Sequence, residues 1–98
     1  MKMIDHIVEQ IDEELEGAKD YAEEYIRHKA KGEMVRANKY KDMANDELRH
    51  AANVHDFAIA DIEDVKRVYP IPTADEEKWD KAHKHYVECM GWIRQMLT

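Results

Sequence analysis

The sequence is poor in the residues that break or staple a chain. It has three glycines, two prolines and one cysteine in 98 residues. A lone Cys89 excludes a framework of internal disulfides. Few breakers leave long uninterrupted segments, which argues against a strand-and-turn architecture and for an all-helical one. No apolar run approaches the length of a membrane span and no signal-peptide pattern is present, so the expected protein is soluble and cytoplasmic, with no membrane partner. Lys and Arg are scattered among a larger number of acidic residues, for a formal charge of −7. Nucleic-acid binding needs a clustered basic face, and the sequence offers none. An acidic surface attracts cations instead.

What is present is helical periodicity. Ile4, Ile7, Ile11, Leu15, Ala18, Ala22 and Tyr25 recur at the three- and four-residue spacing of an amphipathic helix. Gly32 in "KAKGE" fits a left-handed helix terminus. A second stripe runs through Ala37, Tyr40, Ala44, Leu48, Ala51, His55, Ala58, Ile62 and Val65. Pro70 and Pro72 forbid its continuation. Thr73 with Glu76 fits a capping box that opens a third helix, whose stripe is Trp79, Ala82, Tyr86, Met90, Ile93 and Leu97. The spacing predicts one domain over residues 1–98, with helices at about 3–31, 33–68 and 73–97. The short turn makes the first two antiparallel neighbours, a helical hairpin. A chain this short buries only about 60–65% of its unfolded surface, so a partner subunit or a metal would help stabilise it.

Both hairpin stripes broaden on one side. At 100° per residue, Met3, Glu14, Tyr21 and His28 lie on a shoulder of the first helix, and Met43, Glu47, His50, Val54 and Phe57 on a shoulder of the second. Folding back near residues 30–32 brings Glu14 and Glu47 to nearly the same height. His50, three positions after Glu47, projects from the same face. An ionised carboxylate buried without a partner costs several kcal/mol, which a bound cation offsets. Carboxylate with imidazole suits iron, manganese or zinc. Glu-x-x-His alone carries little information in a chain with 22 acidic residues and six histidines; the matched height of Glu14, the common shoulder and Tyr21 carry the argument.

With Glu14, Tyr21, Lys31-Gly32 and "ELRHA" (47–51) in view, residues 10–55 resemble the first helical hairpin of the rubrerythrin and ferritin-like superfamily. The intervals match without a gap. The resemblance implies Glu14 as a terminal metal ligand, Glu47 as a bridging ligand, His50 as a ligand to one metal, and Tyr21 as the candidate catalytic side chain beside them. It implies a di-iron cofactor that oxidises Fe(II) with oxygen or peroxide. Such a site takes a Glu from each of two helices and a Glu-x-x-His from each of two others. This chain supplies one of each, since no later glutamate is followed three positions on by histidine. A two-fold homodimer or higher homo-oligomer would supply the rest and complete a four-helix bundle. This resembles the short encapsulin-associated ferritins, which implies a location inside a protein compartment and a shell as partner. The rubredoxin-type cysteine module of rubrerythrins is absent. Two rival readings stay open: a non-enzymatic helical oligomerisation protein, and a single structural metal site without redox turnover.

The remaining candidates read more plainly. Asp80 and His83 form a second carboxylate-x-x-His pair, but only His83 lies near an apolar stripe, as a partly buried structural residue. His85 and Cys89 have zinc-compatible spacing without further ligands nearby. His55 reads as a satisfied histidine at the core edge, His6 and His28 as surface residues, and Trp79, Trp92 and the methionines as packing for the third helix, within the chain or against a partner.

Overall fold

A computed structural model describes all 98 residues as three helices and no strands: α1 (Lys2–Ala30), α2 (Met34–Val68) and α3 (Thr73–Met96). The molecule is a rod of 55 × 18 × 17 Å, its length set by the 35 residues of α2.

The hairpin turn is built by its backbone. Gly32 has φ 74°, the left-handed conformation that costs a residue with a Cβ about 1–2 kcal/mol. Its N–H donates to the carbonyl of Lys29, and the Glu33 N–H donates to that of His28, at 3.0 Å each. This Schellman arrangement satisfies carbonyls that the end of α1 leaves open.

From that turn α1 and α2 run antiparallel over their whole shared length. Every residue of the expected α1 stripe is buried. On α2, Ala37, Ala44, Ala51 and Ala58 are fully buried at an interval of seven, the repeat that keeps one seam facing a partner helix. Ala18 and Ala22 face the same core cluster. Alanine at these positions lets the two backbones approach closely, because interaxial distance follows the side chains at the contact. Ile11 and Leu15 from α1 and Leu48 from α2 fill the spaces between.

The third helix docks on α1 more than on α2, and it is the least buried of the three. Only Met90 and Ile93 of its own span are buried, joined by Leu97 just beyond it and by Ile71 in the linker. Its ends are tethered by charge: the N-terminal amine lies 2.7 Å from Asp75, and Lys78 pairs with Asp5. Near the other end the Tyr25 hydroxyl donates to the Thr98 carbonyl at 3.4 Å.

Three expectations need correction. Thr73 is the first residue of α3 rather than its cap; Pro72 holds the cap position, and no side chain caps the helix, so the capping box does not form. Pro72 has the extended backbone (φ −55°, ψ 142°) of a cap residue, and its carbonyl already accepts from the N–H groups of Asp75 and Glu76. His28 is buried rather than on the surface, stacked on Tyr40 with ring centroids 5.3 Å apart and flanked by Glu24 and Glu33 at 3.4 and 3.5 Å. His83 is exposed rather than partly buried, because α3 turns it to the rim of the His55 contact; Trp92, 69% exposed, lies outside the chain's own core cluster.

Substituting Gly32 with Ala should lower unfolding free energy by about 1 kcal/mol, measured by chemical denaturation, because the added Cβ meets open space and only the backbone conformation is penalised.

Candidate metal centre

The shoulder of the hairpin carries the cluster. Glu14 on α1 and Glu47 and His50 on α2 bring one ligand atom each to within 4.8 Å of one another, and they are the one such group of three in the chain. His50 Nδ1 lies 3.5 Å from a Glu14 oxygen and 3.9 Å from a Glu47 oxygen. Ligand atoms around one cation, each about 2.0–2.2 Å from it, stand about 3–4.4 Å apart. The observed separations lie inside that span. Two carboxylates with an imidazole provide two negative charges, the complement of a divalent ion.

These side chains are part-exposed in the single chain. Glu14 keeps 28% of its side-chain surface, Glu47 26% and His50 46%. Half-burial limits the desolvation cost but leaves the carboxylates close together. Glu47 is accordingly held above the usual carboxylate range, first by the hydrogen bond it shares with Glu14, then by burial and by the Glu14 charge; His50 acts in the opposite direction. A cation placed between the two carboxylates would relieve that repulsion.

A residue without a chemical group of its own makes room. A Cβ on Gly17 would stand 3.5 Å from a Glu47 carboxylate oxygen and 3.6 Å from its carbon, so the Glu47 side chain lies directly across this position. Any side chain longer than alanine would displace it. The signal was in the sequence, a glycine in mid-helix three positions after Glu14, where glycine costs about 1 kcal/mol against alanine.

Along the same edge, Tyr21 stands half-buried two turns beyond Glu14, its ring 6.3 Å from that of Tyr40. Tyr40 also stacks on His28, so the edge continues as aromatic surface toward the turn. Met43, also on the turn side, is exposed; in the other direction Val54 is half-buried and Phe57 is 67% exposed.

The other candidates do not converge. Asp80 is exposed and lines a shallow depression with Lys66, Glu76 and Trp79, whereas His83 is itself exposed and bonds to His55, so the two form no ligand pair. Cys89 Sγ lies 3.4 Å from His85 Nε2 with no third ligand beside them. His55 is buried and hydrogen-bonded, as its place on the stripe suggests. His6 is exposed. No helix is long and apolar enough to cross a membrane.

Comparisons with protein-family models, with curated proteins and with solved structures find no match to this chain.

Because Glu47 holds its proton more tightly folded than unfolded, the folded metal-free protein gains stability as pH falls through the raised value and loses it as pH rises. Glu47→Gln should therefore raise the melting temperature of the metal-free protein at pH 7, with the advantage shrinking toward pH 4, as followed by thermal unfolding monitored by circular dichroism.

Proposed function

We propose that this chain is half of a ferritin-like di-metal protein, whose site forms between two copies and handles iron by oxidising Fe(II). The observation that carries the reading is the convergence of Glu14, Glu47 and His50 on an edge of the hairpin that α3 leaves uncovered. The α1 residues that meet α3, among them Asp12 and Lys19, lie about 140–160° around the helix from Glu14. The spacing resemblance of residues 10–55 to the rubrerythrin and ferritin-like hairpin supports the same reading.

Two copies related by a two-fold axis along this edge would present two glutamates from the α1 helices and two Glu-x-x-His pairs from the α2 helices, the ligand set of a di-iron carboxylate bundle. Met43, Val54 and Phe57 would be covered in the same contact, removing apolar surface from water on both sides of the ligands. Iron is the metal favoured by the resemblance; manganese and zinc suit the same donors. Bound there, iron would supply the one-electron chemistry that passes electrons from Fe(II) to oxygen or peroxide. The chain's own part is to neutralise the cations with Glu14 and Glu47 and to fix their positions through the paired reach of Glu47 and His50, with the Glu47 side chain lying across Gly17. Tyr21, on the same edge, is the side chain we assign beside the reacting centre.

A second reading is favoured by the exposed apolar residues themselves: the same edge joins two copies as a scaffold with no metal. Metal content separates the two.

The expected outcome is a dimer by sedimentation that takes up one iron per chain on anaerobic Fe(II) addition and develops ferric absorbance on exposure to air. Glu14→Ala, Glu47→Ala and His50→Ala should each reduce iron uptake to background while leaving the helical signal intact. A protein that stays monomeric with iron present, or variants that load iron as the parent does, would overturn the proposal. A dimer that never binds metal would establish the scaffold reading.

A further inference from the structure

On the far edge of the hairpin, His55 of α2 is buried and its Nε2 stands 2.7 Å from Nδ1 of His83 on α3. This is the side-chain hydrogen bond that joins the two helices. The His55 ring is packed on three sides by α3: against Tyr86 at 4.1 Å and 9°, His83 at 4.9 Å and Trp79 at 5.6 Å. The layer is the aromatic contact between α2 and the least buried helix in the molecule, beside the ion pairs Lys66–Glu76, Lys78–Asp5 and N-terminal amine–Asp75 that also hold α3.

An N···N hydrogen bond between imidazoles needs one nitrogen with a proton and one without. Two neutral rings satisfy it, and so does a pair sharing one extra proton. Two imidazolium rings do not: both facing nitrogens then carry hydrogens, and two like charges stand in contact. The groups around the pair give little compensation. From α2, Asp56 lies 4.0 Å from His55 Nδ1 but is itself well exposed. From α3 come His83 and the Tyr86 hydroxyl, with Arg94 acting on Tyr86 and Asp80 one turn before His83. From α1 the same cluster receives the aliphatic Ile7, Ile11 and Leu15, and the charges acting on His55 are those of His83 and Asp56.

We propose that the His55–His83 pair is an acid-released latch, which keeps α3 docked while one imidazole remains neutral and frees α3 from the hairpin when both are protonated. Release would withdraw Met90, Ile93 and Leu97 from the core cluster and leave the alanine seam between α1 and α2 in place. It would uncover the flank of α1 against which Met90 and Ile93 lie, and so convert a capped edge into an adhesive one. The direction of titration agrees: burial first, then the neighbouring His83, holds His55 below the usual histidine range. A histidine more acidic in the docked than in the undocked state stabilises docking fully above about pH 6.5 and loses that contribution as pH falls below it. The inference is independent of any metal at the other edge.

Both tryptophans lie on α3, and Trp79 touches the latch, so Trp92→Phe leaves a single reporter on the pair. In that background, tryptophan emission recorded from pH 8 to pH 4.5 should shift cooperatively to longer wavelength with a midpoint below 6.5, while far-ultraviolet circular dichroism keeps the signal of the hairpin. His83→Asn retains an acceptor for His55 Nε2–H but cannot charge, and it should move the midpoint to lower pH and flatten the transition. His55→Gln with His83→Asn should abolish the transition across this range. Glu47→Gln, at the opposite edge, should leave it in place. The latch is overturned if emission is unchanged down to pH 4.5, if helicity collapses together with emission, or if the transition persists unaltered in His83→Asn.

Discussion

A turn of three residues, Lys31 to Glu33, holds α1 and α2 in one register, and that register decides which side chains meet along 30 residues of seam. An added residue in the turn would slide α2 by about 1.5 Å and rotate it by about 100°. The alanine face at 37, 44, 51 and 58 would leave the seam, and Glu47 would leave Glu14. The left-handed Gly32 is thus tied to the meeting of Glu14, Glu47 and His50 some 25 Å away, by about 1.5 Å of rise for each intervening residue. The buried alanines reinforce the same register, because closely approached backbones tolerate no larger side chain in their place.

The cluster at the uncovered edge works against the stability of the chain that carries it. Two carboxylates and an imidazole within 4.8 Å bring no hydrophobic gain, and the shared hydrogen bond with Glu14 pushes the Glu47 carboxyl above the usual carboxylate range. Gly17 adds a second local cost in the middle of α1. Neither is needed for the hairpin, whose core lies in the neighbouring stripe. Local choices that disagree with stability, placed together on one face, are the physical mark of a functional site. They are the reason for assigning the chemistry to this edge rather than to His85 and Cys89, where no comparable cost is incurred.

Much of this was legible from side-chain spacing. The α1 stripe, Ile4 through Tyr25, is buried residue for residue, and Glu14, Glu47 and His50 meet as their matched heights on the two helices require. Periodicity succeeds here because two long antiparallel helices have few ways to pack. It reads α3 less well: Trp79, Ala82 and Tyr86 are only half-buried, because a helix that docks mainly on one neighbour covers a narrower face than its apolar stripe suggests. The capping box failed because Pro72 fixes an extended backbone one residue before Thr73, so Thr73 enters the helix itself. The surface reading of His28 fails because its ring stacks on Tyr40 in the interior, with Glu24 and Glu33 3.4 and 3.5 Å away and Nδ1 left without a hydrogen-bond partner. The His55–His83 contact joins residues 28 positions apart on different helices, and its partner depends on the rotation of α3, which spacing along one helix does not specify.

The two edges of the hairpin are treated oppositely, and the difference bears on assembly. α3 covers the edge flanked by Asp12, Leu15 and Lys19, where Ile93 and Met96 reach over α1. Were it placed on the other edge, its side chains would occupy the space in front of Glu14 and Glu47, and a three-helix monomer would close with its carboxylates buried and unpaired. Docked where it is, α3 protects as much of α1 as one short helix can and leaves the ligand edge free for a symmetric approach. Two such rods brought together at that edge would carry their third helices on the outside, clear of the contact. In the proposed dimer, this placement of α3 leaves the edge carrying Glu14, Glu47 and His50 open to the second copy, as a ligand set shared between two chains would need.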